Sequence, residues 1–116
     1  MNDAMSNLDL AFAALADPTR RRIVARLTRG ELRVTDLAQP FAMSLNAVSK
    51  HVKVLEGAGL VGRRREGREH YLRLRAAPLR EVARWTAQYE RFWTRRLDAL
   101  GAFLDGQKEN GDEGSQ

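Results

Sequence analysis

The 116-residue chain contains no cysteine. That absence removes disulfides, thiolate metal ligands and cysteine nucleophiles together. No apolar run approaches the roughly 20 residues of a membrane span, and no basic-then-apolar export signal opens the chain. The expectation is a cytoplasmic protein with no membrane partner. Histidine is almost as scarce, with only His51 and His70, neither having a second histidine nearby. A metal held by nitrogen and oxygen needs several converging donors, and the pattern does not supply them. There is no nucleophile-and-base arrangement, no Gly-rich phosphate loop and no metal cluster. Catalytic residues, cofactor and metal are all expected to be absent.

What the chain does have is positive charge. The net charge is +5. The last twelve residues, Asp105 to Gln116, hold four acids against Lys108, a net of −3, so the body carries +8. Nearly all of that charge is arginine, whose planar donor fork suits phosphate and guanine. A net-basic body of this size favours a polyanionic partner. With 43% hydrophobic and 30% charged residues, the chain reads as one soluble domain over residues 1–104. The polar, Gly-rich, acidic segment 105–116 is expected to be a disordered tail.

Met1 to Asn7 read as frayed. Leu8 to Ala16 show a helical face at Leu8, Ala11, Phe12 and Leu15. Asp17-Pro18 marks a helix start, and that helix runs to about Thr28 with Ile23, Val24 and Leu27 inward. Three arginines, Arg20 to Arg22, crowd its first turn. There they oppose the helix dipole by about 0.3–1 kcal/mol each, so they need compensation from phosphate, from Asp17 or from acids of another chain. After Gly30 the sequence suggests a short extended piece at Glu31 to Arg33 and a short helix at Val34 to Gln39, stopped by Pro40.

Ser44 then offers a helix N-cap. Leu45, Val48, Val52 and Leu55 recur at helical spacing and predict a buried stripe, while Asn46, Ser49, Lys50 and Lys53 project opposite. Helix 44–57, apolar behind and small, polar and positive in front, suits insertion into a major groove of double-stranded DNA. Asn46 offers a pair to adenine, Ser49 a bond to either base type, Lys50 a reach to guanine or phosphate, and Leu45 contact with a thymine methyl. Leu60 to Leu74 alternates with a period of two around Glu66-Gly67, which predicts a hairpin. It is rich in arginine, including Arg65 and Arg68. Arginine there suits a narrow minor groove, and Tyr71 either meets a phosphate or covers the hairpin.

A final helix from about Pro78 to Leu104 carries Trp85, Tyr89, Phe92, Trp93, Leu97 and Leu100. One chain of this length cannot bury two apolar faces of it. The expected remedy is a homodimer in which these residues, with Leu8 and Phe12, meet a symmetry mate. The order of elements predicts a mainly α fold with a small β-hairpin wing: a winged helix-turn-helix dimerising through its terminal helices.

The runs LADPTRRRIVARL (15–27), DLAQPFAMSLNAVSKHVKVLEGAGLV (36–61) and GREHYLRL (67–74) closely resemble the ArsR/SmtB family of bacterial repressors. The resemblance covers roughly Leu8 to Leu74 well and the last helix more loosely. It implies a homodimeric, sequence-specific repressor that binds an imperfect palindromic operator and leaves it when an effector, here unknown, binds. Metal-sensing members carry a cysteine pair in a pattern like ELCVCDL. This chain has ELRVTDL, with Arg33 and Thr35 at the cysteine positions, so a non-metal-sensing type is implied. His51 resembles a histidine recurrent in the family's reading helix, placed either to bond a phosphate or to buttress the turn. The alternative from another class is a winged-helix protein-interaction module with weak DNA binding, working through its aromatic helix and acidic tail.

Overall fold

The structure, a computed structural model, describes Ser6 to Gly114. The chain forms helices α1 (Asn7–Leu15) and α2 (Pro18–Leu27), strand β1 (Leu32–Arg33), and helices α3 (Val34–Ala38) and α4 (Leu45–Gly57). Strands β2 (Val61–Glu66) and β3 (Glu69–Leu74) and helix α5 (Ala76–Gly114) follow. Two compact units meet in sequence between Val82 and Ala83.

Local chemistry explains most boundaries of the first unit. Ser6 and Asp9 form a reciprocal capping box that starts α1. The fraying expected to Asn7 therefore stops short of Ser6, and Met1 to Met5 lie outside the described residues. Asp17 accepts the backbone N–H of Arg20 at 3.0 Å and, with Pro18 in the first position, starts α2. The end of α4 is closed by Gly59 at φ +75°. Leu60 N–H returns to the Leu55 carbonyl at 2.9 Å and Gly59 N–H to that of Glu56 at 3.0 Å. This is a Schellman closure, with its two leucines packed inside.

The sheet order is β1-β3-β2, antiparallel throughout, with Leu32 opposite Leu72 and Val61 opposite Leu74. The hairpin turns at Gly67-Arg68, one residue later than the sequence reading set it. Gly67 at φ +60° takes the first central position, as a type II′ turn requires. The expected extended piece is thus a third strand against the wing.

The core joins Ile23 and Leu27 of α2, Leu37 of α3, Val48, Val52 and Leu55 of α4, Leu60, and Leu72 of β3. Leu45 is corrected: it was expected in the buried stripe but stands 47% exposed, because it opens the helix beyond the edge of the packed faces. In α1 the fully buried residues are Ala11 and Ala14, with Leu8, Phe12 and Leu15 half-buried. Small side chains there let α1 approach α2 and α4 closely. Leu55 is wholly enclosed, and Leu55→Ala should lower unfolding free energy by about 3 kcal/mol, read as a fall in urea midpoint at unchanged slope.

Helix α5 begins at Ala76, with Pro78 tolerated in its first turn. Its Leu79 and Val82 pack against the core of the first unit. The second unit is the remainder of this helix. It continues past Leu104 to Gly114, so the segment expected as a disordered acidic tail is helical as far as it is described. Continuation of the hydrogen-bonded ladder outweighs the weak helix propensity of its glycines. Trp85, Tyr89, Phe92, Trp93, Leu97 and Leu100 are all exposed along it. Trp85 and Tyr89 have ring centroids 4.6 Å apart, Phe92 and Trp93 meet edge to face at 5.8 Å, and Arg96 lies over the Phe92 ring at 4.8 Å.

Candidate nucleic-acid interface

The outward face of α4 is built by contrast with its inner one. Val48, Val52 and Leu55 anchor the helix. The Ser44 hydroxyl accepts the Ala47 N–H at 3.1 Å and fixes its first turn. Leu45, Asn46, Lys50 and Lys53 are exposed, and Ser49 is half-buried at the edge. Asn46, Ser49, Lys50 and Lys53 make no hydrogen bond or ion pair among the described residues. Their donors and charges are not consumed by the fold.

His51 sits behind this face, 24% exposed, in a junction of three helices. Arg20 Nη1 lies 3.3 Å from its Nδ1, and the Asp17 carboxylate is 3.8 Å away. The same Arg20 guanidinium donates to the Ala14 carbonyl at 2.6 Å and to that of Ala13 at 3.3 Å, while Arg21 donates to Leu15 at 2.7 Å. Arg20 and Arg21 are therefore compensated by the C-terminal carbonyls of α1, where positive charge is favourable. Arg22 lies over the Phe41 ring at 4.5 Å. His51 thus packs through Nδ1 against Arg20 and Asp17 at this junction. Sequence reasoning missed Arg20 as the clamp that makes this junction, since its partners lie in a different helix.

The N–H held from Arg20 lowers the Asp17 pKa against a smaller opposing effect of burial, with His51 adding to the lowering. A depressed carboxylate contributes stability above its unfolded value and loses it as pH falls through the folded one. Asp17→Ala should therefore lower the melting temperature at pH 7. The gap to wild type should close as pH drops below the ordinary value of 3.8, as circular-dichroism melts would report.

The wing uses its arginines unequally. Arg63 grips Glu56 of α4 at 2.7 Å, tying the wing to that helix. Arg64 bridges Glu31 at 2.8 Å and Glu66 at 2.7 Å and lies over the Tyr71 ring at 4.4 Å. Those two carboxylates raise its pKa. Arg65 donates to the Gly67 carbonyl at 3.0 Å. Arg68, in the turn, is exposed and makes no hydrogen bond or ion pair among the described residues. Between α4 and the wing runs a groove of about 260 Å³ that brings Leu45, Ser49 and Arg68 together with Thr35 and His70. The last two were not singled out for this role, because Thr35 lies 33 residues from Arg68 and His70 lies 21 from Ser49 in the sequence. Arg33 and Thr35, at the family's cysteine positions, are an ion pair with Asp36 at 3.0 Å and a wall of this groove. Leu8 and Phe12 lie on α1; the other residues read as a dimer surface lie along the second unit.

Comparison with known proteins agrees with this arrangement. Residues 15–64 match a family model described as a helix-turn-helix domain. The HTH-type transcriptional regulator Rv2034 of Mycobacterium tuberculosis is 40% identical over 102 residues, spanning 88% of this chain and 92% of the relative. The transcriptional repressor SdpR of Bacillus subtilis is 31% identical over 78 residues, 67% of this chain and 87% of that protein. Among solved structures, an ArsR family transcriptional regulator superposes with a TM-score of 0.71 at 37% identity, covering 77% of this chain and 98% of the other. An ArsR-like regulator from Rhodococcus sp. RHA1 gives 0.64 at 36% identity, covering 81% and 89%. The reading-helix architecture and these likenesses together make the chain a member of the ArsR/SmtB family of winged helix-turn-helix, DNA-binding transcriptional regulators.

Proposed function

We propose that the chain acts as a homodimeric, sequence-specific repressor on an imperfect palindromic operator, in the cytoplasm. Each protomer lays α4 in a major groove, the two copies about 34 Å apart on one side of the duplex. Asn46, Ser49 and Lys50 read base edges, Leu45 meets a thymine methyl, and Lys53 and the wing residues Arg65 and Arg68 take phosphates. Ser44 sets the first turn of the reading helix, and His51 holds its rear. Tyr71 holds Arg64 in place at the wing. The dimer forms through Trp85, Tyr89, Phe92, Trp93, Leu97 and Leu100 with Leu8 and Phe12. The observation that carries this reading is the outer face of α4, whose polar side chains have no internal use while its inner face is locked in the core.

Selection from a random duplex pool tests it, and an enriched two-fold motif is the expected result. Asn46→Ala should relax preference at one base pair of each half-site, at a cost of about 1–3 kcal/mol. Arg68→Ala should weaken matched and scrambled duplexes alike. Identical behaviour of the two variants on both duplexes would reject the division between reading and anchoring. The absence of any enriched motif would reject sequence-specific binding.

A further inference from the structure

The groove between α4 and the wing holds more hydrogen-bonding capacity than the fold uses. Thr35 reaches it from the first turn of α3, Ser49 from α4, Arg68 from the hairpin turn and His70 from β3. Two other charged walls are already matched: Arg63 by Glu56 at 2.7 Å, and Glu69 by Arg33 at 3.7 Å. Arg68 and both hydroxyls have no hydrogen-bond partner among the described residues. The His70 ring lines the groove, and its Nδ1 is enclosed without a hydrogen-bond partner. Native folds leave few buried polar atoms such as this Nδ1 unexplained.

We propose that this groove is an oxyanion pocket and that its occupant is a phosphate group. The donors are a guanidinium fork and two hydroxyls beside the His70 ring, and the lining carboxylate, Glu69, is paired with Arg33. A tetrahedral oxyanion accepts from all of them at once and matches the positive charge left by Arg68. The pocket lies between the two elements proposed above to approach DNA, so the inference rests on that reading where the phosphate belongs to a duplex backbone. Thr35 and His70 then join the binding surface as residues that fix the register of the reading helix and carry no base preference of their own.

Two measurements test it. In the first, a duplex recovered by selection carries a single neutral methylphosphonate linkage, moved one position at a time, and anisotropy gives the affinity of the full chain. One linkage per half-site should cost about tenfold, the weight of a charge-assisted hydrogen bond. That loss should shrink below about threefold in Thr35→Val and in Arg68→Gln, both changes at exposed positions. In the second, inorganic phosphate is titrated into the free protein and amide shifts of Thr35, Ser49 and His70 are followed by NMR. Saturable shifts, lost in Arg68→Gln, with no linkage coupled to the variants would assign the pocket to a free oxyanion. The oxyanion assignment is overturned if no linkage couples to either variant and phosphate leaves these amides unmoved. Failure of the DNA reading itself looks different: no duplex is selected, while the phosphate titration still reports on the pocket.

Discussion

Raising salt from about 50 to about 200 mM should weaken binding to a selected duplex by roughly a thousandfold. The magnitude follows from which cations the fold leaves free. Lys53, Arg65 and Arg68, proposed above to take phosphates, are exposed and without an ion-pair partner among the described residues. In a dimer they would neutralise about six phosphates, giving a log–log slope between −5 and −6 at about 0.9 per phosphate. Arg63 and Arg64 are engaged by Glu56, Glu31 and Glu66 and should stay out of the count. If they joined it, the slope would approach about −9. Anisotropy titrations at several salt concentrations separate these values. A slope near −1 would contradict groove binding through this face altogether.

The second large effect concerns assembly. The double variant Trp93→Asp, Leu97→Asp should sediment as a monomer and lose roughly a thousandfold in operator affinity. Linking two half-site readers through a shared interface raises avidity by about 10²–10⁴ without any new DNA contact. Trp93 is 56% and Leu97 62% exposed, so neither is needed by the core of its own chain. Far-ultraviolet circular dichroism and the melting temperature of the first unit should therefore hold. A variant that stays dimeric with unchanged affinity would move the interface elsewhere on the chain.

The elements legible in the sequence were those with a strong local signal. Asp17-Pro18 announced α2, Ser44 announced α4, and the alternation around Gly67 announced the wing. The inner face of α4 was readable from spacing at Val48, Val52 and Leu55. Leu45 was not, because periodicity assigns a side but not the point at which neighbouring elements cease to cover it. Strand β1 has two residues, too few to show any period, and is a strand only because Leu72 and Tyr71 of β3 lie opposite. The candidate site was legible where it lies on one helix. It was hidden where it depends on pairs far apart in sequence. Arg64 with Glu31 decides which wing arginines keep their charge for a ligand. Thr35 and Arg68, 33 residues apart, line the same groove. Arg20 to Arg22 looked like charge against a helix dipole. The relief came from α1, whose last carbonyls Arg20 and Arg21 meet, and from the Phe41 ring under Arg22, and no reading of α2 alone contains either.

The clamp at Arg20 also sets a limit on how this fold can vary. One guanidinium reaches the end of α1 and the ring of His51 in α4 from its seat on α2. Adding a single residue to the short link at Ala16-Asp17 would rotate the final carbonyls of α1 by about 100° relative to that seat. Insertions and deletions at this joint should therefore be rejected by natural variation, while substitutions that keep its length pass. The spacing here is a fixed gauge for the family's descendants of this chain, as rigid a requirement as any side chain on the reading face.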